Sequence, residues 1–175
     1  MCTEEQKNGT ENIMDKNHKK FLSTIEKLAL EVYANLGDGF SEDIYQKALA
    51  VEFRANKIDY LRETVIELFY KDQMVGIGEI DFFFPIQKNK FFTIEAPIII
   101  ETKYSTKLED NHRAQLRQYL HSAKLNKTAV FKNLQYGALL NWQKKVSYEQ
   151  KRITPESEVS MEFWKFSKAN FLKQL

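Results

Sequence analysis

Asp81 and the run Glu101-Thr102-Lys103 are the residues whose types and spacing could carry out chemistry. The two acids stand roughly twenty residues apart, a separation that a hairpin with an irregular loop can close. Side chains alternate across a strand, so Glu101 and Lys103 project to one face and Thr102 to the other. Two carboxylates offer hard oxygen ligands to Mg2+ or Mn2+, and a neighbouring lysine can orient an attacking water as the ammonium or deprotonate it as the amine. Such a set suits metal-assisted phosphodiester hydrolysis, in which the cation also polarises the phosphoryl oxygen. The competing account is a surface ion pair at i, i+2, worth under about 1 kcal/mol. Against it, Ile98, Ile99 and Ile100 lead directly into Glu101, so the charges emerge from a strand buried on both faces at its start. Glu79, two residues before Asp81, and Glu95, in the following loop, are rival acids. Asp81 and Glu101 remain the assigned pair.

These residues need elements to position them. Residues 1–17 carry few large apolar side chains and read as a flexible tail. From Phe21, the spacing of Phe21, Ile25, Leu28, Val32 and Leu36 predicts a helix with one buried face, closed at Gly37. Ser41 is a good N-cap for a second helix carrying Ile44, Tyr45, Leu49 and Phe53, with Glu42 and Asp43 at the favourable end of its dipole. Residues 60–85 alternate and form a hairpin that turns at Lys71-Asp72-Gln73, and residues 97–103 form the next strand. A third helix spans residues 108–124. Residues 128–131 and 137–142 both read as strands, the second being the better candidate for the sheet. Residues 146–153 read as a last strand and residues 161–175 as a helical extension packed on the domain. The order predicts an α/β or α+β fold, a central mixed β-sheet flanked by helices.

Composition narrows the field further. Apolar residues make up 43% and charged residues 29% of 175 positions, as in ordinary globular chains. Lys and Arg number 26 against 24 Asp and Glu, so any basic surface must be local. Cys2 alone forms no intramolecular disulfide and no cysteine zinc site. There is no signal-like or membrane-spanning apolar run, and an intracellular protein, cytoplasmic or nuclear, is expected. Walker, dinucleotide-binding and GxSxG patterns are missing.

Two further motifs flank the acids. Gly39 to Tyr45 reads GxxExxY, and His112 to Leu120 reads HxxQLxxYL. With Asp81 and Glu101-x-Lys103 in this order, the chain resembles the GxxExxY family, a RecB-like branch of the PD-(D/E)XK nuclease superfamily. The resemblance covers residues 28–153. It implies a restriction-endonuclease-like core over residues 18–155, with residues 156–175 outside it. It also implies a Mg2+- or Mn2+-dependent nuclease acting on DNA, of the kind used in repair, recombination or the processing of mobile-element or viral DNA. Self-association is left open. The alternative is a nucleic-acid- or protein-binding module that keeps the fold without turnover.

Carried over position by position, the resemblance makes Glu42 a metal ligand or a support for metal-bound water, beyond its dipole role. Tyr45 is packing. His112, Gln115 and Tyr119 share one helix face. Gln115 is expected to bond the catalytic lysine or a phosphate, Tyr119 to buttress the site, and His112 to meet phosphate. Lys107, Arg113, Arg117 and Lys124 form a candidate basic rim for phosphates. Trp142, Phe163, Trp164 and Phe166 are set to seal the core rather than stack on bases. Residues 88–96 look like an insertion that reshapes the substrate groove or an oligomer contact.

Overall fold

A computed structural model describes residues 4–145, 158–167 and 170–174, with side chains from Lys16 onward. Helix α1 (Glu4–Leu36) buries Phe21, Ile25, Ala29 and Val32 along one face. It begins earlier than the sequence pattern suggests. Once the apolar face is docked, each added residue contributes a backbone hydrogen bond, and the upstream segment carries several Glu and Lys, which favour helix. The helix stops at Gly37, where φ is 76° and the N–H bonds the Tyr33 carbonyl at 2.8 Å. Helix α2 (Glu42–Ala55) follows, burying Tyr45, Leu49 and Phe53. Ser41 occupies its N-cap, but the hydroxyl makes no capping bond.

The expected hairpin is β1 (Leu61–Tyr70) and β2 (Gln73–Phe84). Lys71 and Asp72 both have positive φ, the geometry of a two-residue turn matched to strand twist. The apparent insertion folds into a small hairpin of β3 (Gln87–Lys88) and β4 (Thr93–Ile94). It does not intrude on the sheet: Phe92 and Ile94 are buried, and Phe92 meets the Phe21 ring of α1 edge-on. Strand β5 (Ile98–Ser105) leads through helix α3 (Asp110–Ala123) to β6 (Tyr136–Gln143). Residues 128–131 were expected as a strand, and a single 3-10 turn, Ala129–Phe131, takes their place. It buries Phe131 against Phe83.

The helical extension expected over residues 161–175 is overturned. That segment forms β7 (Val159–Ser167) and β8 (Asn170–Lys173), which extend the sheet beside β6. Aromatic and β-branched content suits a strand, and an antiparallel β7 covers the β6 edge that a helix would leave unpaired. The strand expected over residues 146–153 lies outside the described residues. The sheet order is β1-β2-β5-β6-β7-β8, with β5 and β6 parallel and every other pair antiparallel. Helices α1 and α2 cover one face through Phe82, Ile100, Leu140 and Trp142. Helix α3 covers the other through Ile80, Ile99 and Leu139. A restriction-endonuclease-like fold, a mixed sheet between helices, accounts for this arrangement.

Arg113 ties α3 to β7. Its Nε and Nη2 donate to the Glu162 carboxylate at 2.9 and 2.7 Å, and Lys173 and the Trp164 indole N–H complete the set. The Arg113 bonds hold the Glu162 carboxyl down at about 2, although burial opposes them. A depressed folded pKa gives stability that is present above the ordinary carboxylate value and is lost as pH falls from there towards about 2. The contribution is about 3 kcal/mol at most. Urea midpoints of the wild type and Glu162→Gln should therefore differ at neutral pH and converge across that acid window. A gap that does not change with pH would contradict the assignment.

Candidate active site

Strands β2 and β5 pair from Phe84↔Ile98 to Phe82↔Ile100 and then part, so Asp81 and Glu101 stand where the ladder stops. Each acid takes over a hydrogen bond that the parting strands give up. The Asp81 N–H donates to Glu101 Oε1 at 3.2 Å, and the Thr102 N–H donates to Asp81 Oδ2 at 2.7 Å. The Thr102 hydroxyl adds a 2.9 Å bond to the same oxygen and accepts one from Gln46 Nε2 of α2 at 2.8 Å. The fork is thus held open by its own carboxylates.

The pleat is also broken here. Glu63, opposite Asp81 in the β1–β2 register, has φ 52°, a conformation that costs a non-glycine residue about 1 kcal/mol or more. Beyond this point the alternation changes phase: Phe82 belongs to the α1/α2 core, but Ile80 faces α3. Asp81 therefore sits between the two cores and opens into the fork.

Glu101 is fully buried, and its Oε2 has no hydrogen-bond partner. Burial pushes its carboxyl well above the usual range, Asp81 adds to the shift and Lys103 opposes it. Lys103 leaves the same strand face and reaches Glu42 Oε1 at 3.8 Å. Glu42 in turn accepts the Tyr104 N–H on Oε2 at 3.2 Å, which fastens the start of α2 to β5. Burial raises the Glu42 carboxyl, against the pull of Lys103.

The loop before α2 is anchored by the same strand. The Tyr104 hydroxyl donates to Asp38 Oδ1 at 2.6 Å and accepts the Gly39 N–H at 2.9 Å, and the Tyr45 hydroxyl donates to the Gly37 carbonyl at 2.7 Å. Tyr45 stacks on Trp142, whose indole N–H bonds the Ala29 carbonyl, so both are packing residues.

On the other side of the sheet, Gln115 Nε2 donates to the Tyr119 hydroxyl at 3.0 Å. Tyr119 lies over Gly78 of β2 so closely that a Cβ there would stand 2.5 Å from its ring. Gln115 reaches neither Lys103 nor the acids by a hydrogen bond among the described residues. His112 Nδ1 accepts the Glu109 N–H at 3.1 Å, closing the first turn of α3. Burial, with help from Lys103, lowers its pKa, so it is neutral at pH 7. Arg113 is engaged by Glu162 and Asp110, whereas Arg117 is exposed. Glu79 and Glu95 are exposed, unlike the buried Glu101.

Among the described residues no three His, Cys, Asp or Glu side chains form a ready-made cation cage. The fork nevertheless fits a hard divalent cation. Glu101 Oε2 is a buried oxygen without a partner, and bringing a positive charge to such a carboxylate offsets its desolvation. The family model of the PD-(D/E)XK nuclease superfamily matches residues 19–153. The chain belongs to the PD-(D/E)XK nuclease superfamily. No curated protein and no solved structure shows a significant match. In this nuclease-superfamily chain the matched span takes in both helices of the site and the whole fork, and it ends before β7.

Sequence reasoning missed Gln46, Thr102, Tyr104 and Asp38. Only Gln46 left a signal, as a polar residue beside Tyr45 and one turn after Glu42 on a helix face bound for the core. The Gly78 contact yields a prediction. Gly78→Ala should displace the Tyr119 ring and pull its hydroxyl from Gln115, lowering stability by about 1 kcal/mol or more and the cleavage rate roughly tenfold. Thermal melts and rates checked against Tyr119→Phe would show this. Wild-type values in both would contradict the close packing.

Proposed function

We propose that this chain is a Mg2+- or Mn2+-dependent deoxyribonuclease of the GxxExxY, RecB-like type, with the β2/β5 fork as its reacting centre. The observation that carries the reading is Glu101, a completely buried carboxylate with one unpartnered oxygen beside Asp81. Asp81 and Glu101 would hold the cation, with Glu42 across Lys103 as a further ligand or a support for bound water. When bound, the cation supplies Lewis-acid polarisation of the phosphoryl oxygen and neutralises charge that develops on it.

The remaining work belongs to the chain. Lys103, its ammonium fixed in position by Glu42, orients the attacking water and stabilises the hydroxide that forms as the water's proton leaves to bulk solvent. Thr102 and Gln46 hold the Asp81 carboxylate in place. Gln115, steadied by Tyr119, meets the phosphate from the α3 side, joined by His112 as a neutral hydrogen-bond donor and by Arg117. A role in DNA repair, recombination or mobile-element processing agrees with this chemistry.

The test is incubation of the whole chain with linear, circular and single-stranded DNA at low salt, in Mg2+, Mn2+ or EDTA. Cleavage should need the metal, and Lys103→Ala should slow it by about 10^2 to 10^4. Wild-type cleavage by Lys103→Ala, or cleavage in EDTA, overturns the reading. Binding without any cleavage favours a module that has kept the fold and lost turnover.

A further inference from the structure

Away from the fork, the C-terminal end of α3, the 3-10 turn and the entry to β6 enclose a cavity of about 650 Å³. Lys124, Lys127 and Lys132 line it, together with Asn126, Asn133 and Gln135, and among the described residues no Asp or Glu does. The chain as a whole carries a formal charge of only +2. Three ammonium groups around one hollow with no Asp or Glu among its described lining residues are therefore a local concentration of positive charge. Among the described residues none of the three forms an ion pair.

Part of this charge has a structural account. Lys124 follows the last turn of α3, where a cation complements the helix dipole, and its Nζ lies 4.3 Å from the Phe166 ring centroid. That account does not extend to Lys132, on the 3-10 turn's far end, or to Lys127, in the connecting loop. Lys127 also borders a smaller cavity containing Glu67 and Asp72 and pairs with neither among the described residues. Like charges left facing one hollow repel one another, and bound anions relieve that repulsion.

The position of the cavity indicates which anion. Arg117, His121 and Lys124 are all exposed and recur at helical spacing, so they form a stripe along the solvent face of α3. The stripe runs from the level of Gln115 and Tyr119 to the mouth of the cavity. From Gln115 to Lys124 the helix rises roughly 13 Å. The sheet gives the same figure: Gln135 precedes by four residues Leu139, which pairs with Glu101, roughly 13 Å of strand. One nucleic-acid strand covers that distance in roughly four nucleotides at 3.4 Å each.

We infer that the Lys124/Lys127/Lys132 cavity is a second phosphate-binding site, which holds the backbone of a nucleic-acid strand about four nucleotides from the phosphodiester at the fork. The inference rests on the nuclease reading for its choice of ligand. The ammonium groups neutralise phosphates, with Asn133 and Gln135 as polar neighbours, so the site reads charge and not sequence. Its effect is to fix the register of the strand and to favour substrates long enough to span both sites.

The test compares the whole wild-type chain, Lys124→Ala/Lys127→Ala/Lys132→Ala and Asp81→Asn. Anisotropy of a labelled 12-nucleotide single strand is measured in EDTA across a salt series, alongside cleavage of that strand and of a dinucleotide in Mn2+. The triple variant should bind the 12-mer at least about tenfold more weakly, with its log–log salt slope shallower by about 2, yet match the wild type on the dinucleotide. Asp81→Asn should keep 12-mer affinity. Inorganic pyrophosphate should compete with the 12-mer on the wild type and not on the triple variant.

Equal 12-mer affinity and slope in wild type and triple variant overturn the inference. So does pyrophosphate binding at the cavity lysines without competition, which makes it a free-phosphate site. Asp81-dependent cleavage together with an unaffected triple variant defeats the inference and leaves the nuclease reading intact. Lysine-dependent strand binding without any cleavage defeats turnover and leaves the second site standing.

Discussion

Asp81→Asn should abolish metal-dependent cleavage, with a loss on the order of 10^3-fold or more, while the protein stays folded. Asparagine keeps an acceptor for the Thr102 N–H and hydroxyl, the two bonds that Asp81 Oδ2 receives in the fork, so the strand geometry survives. What is lost is the negative charge that a divalent cation needs opposite Glu101. Asp81→Ala is the less informative change, because it also leaves the buried Thr102 without its partner. Rates at saturating Mn2+, read beside thermal melts, separate the two effects. Cleavage by Asp81→Asn within tenfold of wild type would remove Asp81 from the reacting centre.

Glu101→Gln should also silence cleavage, by a similar factor, and in metal-free buffer it should raise stability. Glu101 is a fully buried carboxylate beside Asp81, and both its burial and that neighbour favour its protonated form. A neutral isostere removes the charge, keeps an oxygen for the Asp81 N–H and places an amide donor beside the Asp81 carboxylate. A carboxyl whose folded pKa is raised loses stability as pH rises above its unfolded value, and a neutral isostere avoids that loss. The gain should shrink when Mn2+ is added, since only the wild type acquires binding energy from the cation. Denaturant curves with and without Mn2+ read both effects. A Glu101→Gln variant less stable than wild type without metal would mean that the carboxylate is there for the fold.

Opposed signs for activity and stability are what a site residue predicts, and they bear on how the sequence could be read. Asp81, Glu101 and Lys103 stood out by residue type and strand spacing, and Glu42 only through the resemblance of the motif around it; the structure brings Glu42 beside Lys103 and Asp81 beside Glu101. The hairpin was legible from the alternation of its residues, and its turn because Lys71 and Asp72 suit a tight reversal. Thr102 and Gln46 were not, since their role depends on where β2 and β5 part. That point coincides with the pleat break at Glu63, and a positive φ at glutamate leaves no mark in a sequence. The C-terminal strands were misread because a short aromatic segment fits helix and strand periods almost equally, and the deciding term is the unpaired edge of β6. The first turn of α3 adds a role that left no mark in the sequence: His112 Nδ1 caps the helix, and the phosphate contact proposed for this residue falls to Nε2.

Every role proposed for the fork requires that Asp81 and Glu101 together hold a divalent cation there. Anomalous diffraction from crystals of the wild-type chain soaked in Mn2+ tests it directly. The expected result is a manganese peak within ligand distance, roughly 2.0–2.3 Å, of oxygens from both Asp81 and Glu101, absent in Asp81→Asn crystals treated identically. A fork without a peak at Mn2+ concentrations that support cleavage, or a peak that persists in Asp81→Asn, would contradict it.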